Sequence, residues 1–107
     1  PTPGKPLAGL MQDWPLTVDK IIEHARNNHG TREVVTRTVE GPIIRQTYAD
    51  IYDRAKQCSA ALLEDGMRQG DRIATLAWNT GRHMETWYGA MCAGGVLHTV
   101  NPRLFPE

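Results

Sequence analysis

Two short apolar runs, Ile73–Ala77 and Val96–Val100, flank a stretch in which Met84, Trp87, Tyr88 and Met91 recur at helical spacing. Strand, helix and strand in that order make a βαβ unit, which implies parallel strands and a right-handed crossover. No other feature constrains the chain as strongly. A parallel sheet needs helices over its faces and neighbours at its edges. Gly70–Arg72 turns the chain into the first run, Trp78–Gly81 breaks it, and Ala93–Gly95 ends the helix. The run Ile73–Ala77 is short and wholly apolar apart from Thr75, so it is expected to be a strand buried on both faces.

The residues upstream supply a hairpin and two helices. Thr17 is the expected N-cap of the first helix, with Asp19 in its first turn. Val18, Ile21, Ile22 and Ala25 form one face, and Gly30 is the expected left-handed cap. Residues 33–47 alternate, with Val35, Arg37 and Val39 on one face and Thr36 and Thr38 on the other. A turn at Glu40–Pro42 folds them into a β-hairpin. Thr47-Tyr-Ala-Asp50 has the pattern of a capping box and opens the second helix, whose apolar stripe is Ile51, Ala55, Cys58 and Leu62 and whose end is Gly66. Four prolines (Pro1, Pro3, Pro6, Pro15) punctuate residues 1–15, which read as an extended arm. Its Leu7, Leu10, Met11 and Trp14 are expected to dock on this chain or on a partner.

The fold class is therefore α/β: a β-hairpin plus a βαβ unit with flanking helices, an incomplete mixed or parallel sheet over residues 16–107 behind the arm 1–15. With two or three parallel strands at most, an edge stays open. The chain also opens on Pro1 and ends on the loop-like Asn101–Glu107. It reads as the opening piece of a larger domain, or as a piece that pairs with a copy of itself.

Composition removes several classes of function. The 107 residues allow one domain at most. Twelve Lys and Arg balance twelve Asp and Glu, which argues against nucleic acid as the partner. With 40% hydrophobic and 22% charged residues the chain is not a disordered acidic tail. No apolar run approaches the roughly 18–20 residues of a membrane span, and no signal-peptide pattern opens the chain. Cys58 and Cys92 make no disulfide framework; one bridge between them stays compatible with the sequence, and a reduced cytoplasmic protein is the simpler reading.

Sequence motifs for chemistry are few. There is no P-loop and no dinucleotide fingerprint, since Gly94-Gly95 ends a helix rather than following a strand. His24, His29, His83 and His98 show no zinc spacing with the cysteines, and no metal ligand is assigned. Cys58 and Cys92 fall on apolar helix faces, where a buried, inert thiol is expected. Trp87 and Tyr88 are expected in the core rather than as a stacking platform. The loop Trp78–Gly81 and the segment Asn101–Arg103 carry more weight, because each follows the carboxyl end of an expected parallel strand, the edge where open α/β sheets bind ligands. Asn79 or Thr80 serves equally as the N-cap of the third helix. Arg103 meets a phosphate or carboxylate, or stays a solvated loop charge; the sequence leaves both open.

Asp71–Asn79, Gly81–Glu85 and Gly94–Leu104 resemble the N-terminal region of the fatty-acyl-CoA synthetases, members of the acyl-adenylate-forming, AMP-binding superfamily. Leu16–Asp19, Gly30–Val35, Thr47–Tyr52 and Ala60–Gly66 fit the same family in order. The likeness covers nearly everything after the first dozen residues. Its Leu-His-Thr-x-Asn-Pro-Arg-Leu stretch, Leu97–Leu104, is similar to the medium- and long-chain branch.

The resemblance implies a fatty-acid–CoA ligase that joins fatty acid and CoA at the expense of ATP, releasing AMP and pyrophosphate, with ATP, Mg²⁺ and CoA serving the parent protein. It implies that this chain is the N-terminal part of the large acyl-adenylate-forming domain. The family's phosphate loop, aromatic Thr-Glu motif, ribose-binding Asp and C-terminal Lys all lie downstream, so no catalytic residue is carried over. The 107 residues alone are expected to be inactive and to bind no cofactor. The one carry-over is Asn101, Pro102 and Arg103, placed by similarity near the path of the CoA pantetheine arm. The implied partners are the remainder of the synthetase chain and a second copy of it, with the arm 7–14 as a contact. The implied location is the cytoplasm, with peripheral membrane association open to the parent. The competing reading is a stand-alone, non-catalytic α/β interaction module.

Overall fold

The structure, a computed structural model, describes residues 13–104. Seven elements follow one another: α1 (Asp19–His29), β1 (Glu33–Arg37), β2 (Ile43–Thr47), α2 (Tyr48–Glu64), β3 (Arg72–Leu76), α3 (Gly81–Cys92) and β4 (Val96–Val100). β1 and β2 pair antiparallel, from Glu33 opposite Thr47 to Arg37 opposite Ile43. β3 and β4 pair parallel, from Arg72 beside Val96 to Leu76 beside Val100, with α3 as the crossover. The hairpin and the parallel pair are separate two-stranded sheets, so the architecture is α/β with the expected hairpin and βαβ unit and without a joined sheet.

Local chemistry accounts for the element ends. The Thr47 hydroxyl accepts the Asp50 amide at 3.2 Å and the Asp50 carboxylate accepts the Thr47 amide at 3.0 Å, closing the capping box on α2. Gly66 follows α2 at φ +104°, the left-handed region that only glycine enters without strain, and lets Met67 N–H return to the Leu62 carbonyl at 3.0 Å. α1 is built differently from expectation at both ends. The Thr17 hydroxyl bonds the Asp19 carboxylate rather than capping an amide, and the first turn is closed by Lys20 N–H on the Thr17 carbonyl at 3.1 Å. Gly30 is right-handed, at φ −58°. Its small size, not its freedom, is used: a Cβ there would lie 2.6 Å from the Arg26 carbonyl oxygen.

The core sits where α2 meets α3, with α1 against α2. Ile51, Ala55, Ala90 and Ile22 are its fully buried apolar side chains. Burying Ile51 removes its whole surface from water and contributes about 1.5–3 kcal/mol. The buried face of α3 is Gly81, Glu85, Gly89 and Ala90, not the expected Met84–Trp87–Tyr88–Met91 stripe. Small residues let the two helices approach closely, and the Ser59 hydroxyl donates to the Gly89 carbonyl across the seam at 2.5 Å. Trp87 is displaced to the surface and Tyr88 is half-buried, its phenol pushed above its ordinary value by that burial.

Among the described residues the sheets are covered on one side only, which corrects the expectation for β3. Thr75 is buried, but Ala74 and Leu76 are exposed, Leu76 to 70%, because the helices cover a single face. In the hairpin Thr36 turns inward and Val35 outward. Cys58 is half-buried and Cys92 exposed rather than buried; both are free thiols. Of the arm, Leu7, Leu10 and Met11 lie outside the described residues, and Trp14 is half-exposed with the Lys20 ammonium 5.4 Å from its ring centroid.

Candidate functional site

In-register pairing of β3 with β4 brings Leu76 and Val100 side by side, so the two loops after them leave the sheet at one edge. There they line one cleft of about 600 Å³. Trp78, Asn79, Thr80 and Gly81 come from the first loop, and Asn101, Pro102 and Arg103 from the second. The structure thus brings together both segments that the sequence singles out. Thr80 is the cap, accepting the His83 amide at 3.2 Å, which leaves Asn79 exposed on the cleft wall. The Asn101 side-chain oxygen accepts the Arg103 amide at 3.0 Å, a tight turn that places the Arg103 guanidinium 5.3 Å from the centre of the Trp78 ring. Cation and ring join the two loops across the mouth.

The rest of the cleft is not indicated by the sequence. Val34, Val35 and Thr36 of β1 form the opposite wall, and His83, Met84 and Trp87 reach it from α3. The last three lie on the first two turns of α3, and the helical spacing of Met84 and Trp87 reads as core rather than as site. The contribution of β1 is non-local and left none. His83 Nε2 meets the Thr75 hydroxyl at 2.9 Å, tying α3 to β3.

Behind this wall lies a buried carboxylate. Glu85, 6% exposed, accepts Gln46 Nε2 and Arg54 Nε, each at 2.8 Å. The bond and charge of Glu85 raise the Arg54 guanidinium further above its ordinary value. Thr36 Oγ1 accepts the Gly81 amide at 3.0 Å. Glu40 takes an exposed ion pair with Arg82 at 3.1 Å; its own backbone amide and then Arg82 hold its carboxyl below the usual range.

The cysteines stand apart from the cleft. Desolvation, and then the negative charge of Glu85, pushes the Cys58 thiol up; desolvation, then Asp19 and Glu23, does the same at Cys92. A raised thiol pKa leaves little thiolate, the form needed for nucleophilic attack. Among the described residues no three His, Cys, Asp or Glu side chains converge as metal ligands do. His24 and His29, five residues apart, nevertheless meet edge to face at 5.6 Å. Among the described residues no helix is long and apolar enough to cross a membrane.

A parallel β-α-β unit with a cleft at the carboxyl ends of its strands defines an α/β domain of the open-sheet kind. Residues 22–107 match the family model described as AMP-binding enzyme, and the chain belongs to that family. It is 43% identical over 101 residues to a 3-methylmercaptopropionyl-CoA ligase of Ruegeria lacuscaerulensis, covering 94% of this chain and 19% of that protein. It is 41% identical over 101 residues to a medium-chain-fatty-acid–CoA ligase of Ectopseudomonas oleovorans, again over 94% of this chain and 18% of the relative. Among solved structures, a Mycobacterium tuberculosis fatty acyl CoA synthetase superposes with a TM-score of 0.72 at 25% identity, over 82% of this chain and 17% of that one. The chain therefore spans about a fifth of the length of the curated relatives it matches.

Proposed function

We propose that these 107 residues are the N-terminal portion of an ATP-dependent fatty-acid–CoA ligase, which converts fatty acid, ATP and CoA to acyl-CoA, AMP and pyrophosphate. The observation that carries this reading is the match to CoA ligases at 41–43% identity over nearly the whole chain, against a fifth of theirs. In this reading 1–15 is an arm and 16–107 the opening part of the large domain. The parent uses Mg²⁺, resides in the cytoplasm and self-associates; strand edges left unpaired among the described residues support self-association.

The cleft fits part of the CoA molecule. Asn101, Pro102 and Arg103 lie at its rim with Asn79, and Trp78, Met84, Trp87 and Val100 supply apolar surface. An amide-bearing aliphatic arm such as pantetheine suits that lining: side-chain amides meet its amides and the apolar wall meets its methylenes. The chain holds no Gly-rich loop for nucleotide phosphates, so the adenylation chemistry belongs to residues outside it.

The test is expression of the complete open reading frame beside the 107-residue chain, with acid-dependent AMP and acyl-CoA formation followed across fatty acids of increasing length. Turnover by the complete chain alone supports the reading. Turnover by the 107-residue chain, or a complete chain inert with every acid, overturns it.

A further inference from the structure

We infer that Glu85 is a positioning residue that sets the width of the cleft from behind, without lining it. Its carboxylate accepts one hydrogen bond from β2, through Gln46 Nε2, and one from α2, through Arg54 Nε, each at 2.8 Å. Two elements, β2 and α2, are thereby referred to one buried group on a third, α3. The Gln46 amide so held also fixes the start of α3. Its Oε1 occupies the space that a Cβ on Gly81 would need, and Thr36 Oγ1, on the paired strand, accepts the Gly81 N–H. Thr36 and Gly81, joined by that hydrogen bond, both line the cleft, at the point where β1 meets the start of α3; Glu85, Gln46 and Arg54 are not among those lining it.

The residue type supports a geometric role. Apolar side chains of similar volume in place of the whole ion pair would pack such a seam as well, since desolvating a charge offsets most of what its partner returns. What a carboxylate adds is direction: two bonds at defined angles to two different elements. Its loss frees the Gln46 amide, and the hairpin wall can then shift against α3.

The experiment uses the full-length chain with Glu85→Leu and Glu85→Gln. Michaelis constants are measured separately for acid, ATP and CoA. A nitroxide on the exposed Cys92 of α3 and another on Arg37→Cys of β1, in a background without other reactive thiols, report the spacing between hairpin and helix by electron–electron resonance.

We expect Glu85→Leu to fold with a melting temperature near that of the parent, to broaden the distance distribution, and to raise KM for one substrate about five-fold or more with kcat less affected. Glu85→Gln, which retains one acceptor oxygen, falls between, and serves alone should the leucine variant not fold. A distance distribution identical to the parent's overturns the proposal, as do unchanged KM values in a folded, active variant. The KM measurement rests on the ligase reading and the distance measurement does not. An inert parent therefore sinks that reading while the distances still decide the role of Glu85.

Discussion

The helix seam and the strand faces of this molecule are finished to different degrees. Between α2 and α3, Ile51, Ala55 and Ala90 are wholly buried, and Gly89 lets the backbones approach. On the strands, residues just as apolar stand in water: Leu76 at 70% exposure, Ile43 at 53% and Val35 at 52%. Both regions obey their local code equally well, the seam through period-3.6 spacing and a capping box, the strands through turns and β-branched residues. The difference lies in partners. A helix pair joined by a short strand completes itself within one stretch of chain. A parallel sheet is complete only when a second layer arrives, and the relatives are roughly five times as long as this chain.

Substitutions probe this contrast, the largest effect first. Ile51→Ala opens a cavity in the seam and is expected to cost about 2–5 kcal/mol in urea unfolding of the 107-residue chain. A cost below about 1 kcal/mol would show the seam to be loosely packed. Gly89→Ala puts a Cβ 2.7 Å from the Cys58 Cβ and 3.0 Å from the Ala55 carbonyl oxygen. Backbone cannot yield as a flexible side chain does, so overpacking of about 1–3 kcal/mol outweighs the higher helix propensity of alanine, about 1 kcal/mol. Equal or greater stability in that variant would mean that the helices have room to part. Leu76→Ala is expected to change the stability of the 107-residue chain by less than about 0.5 kcal/mol, and that of the full-length protein by about 2 kcal/mol or more. The ratio of the two losses measures how much of the bare face later chain covers, and equal losses would mean that it stays bare.

Legibility in the sequence divides along the same line. Thr47 with Asp50, Gly66, the hairpin turn and the βαβ order could all be read, because each depends on residues within a few positions of one another. The conformation of Gly30 could not, since the stop at Asn27–Gly30 is satisfied by a right-handed turn as well as a left-handed one. Nor could the face that α3 buries. Apolar periodicity points to Met84, Trp87, Tyr88 and Met91, and the face containing Glu85 and Gly89 is buried instead because Gln46 of β2 and Arg54 and Cys58 of α2 lie opposite it. Met84 and Trp87 were thereby released to the cleft. That Trp78–Gly81 and Asn101–Arg103 leave the sheet at one edge was legible because strand ends are local features. The wall from β1 was not, since Gly81 meets Thr36 across 45 positions of chain.

The uncovered face of β3 and β4 also has a consequence in time. In a protein as long as the relatives, ribosomes adding about 5–20 residues per second need tens of seconds to make the polypeptide C-terminal to β4. Throughout that interval the hairpin, the helices and the parallel pair have all the residues they need to form, while Leu76 and Val96 face solvent and the strand edges stay open. On the ligase reading, the newborn protein is then most exposed to aggregation and to chaperone capture at those open edges.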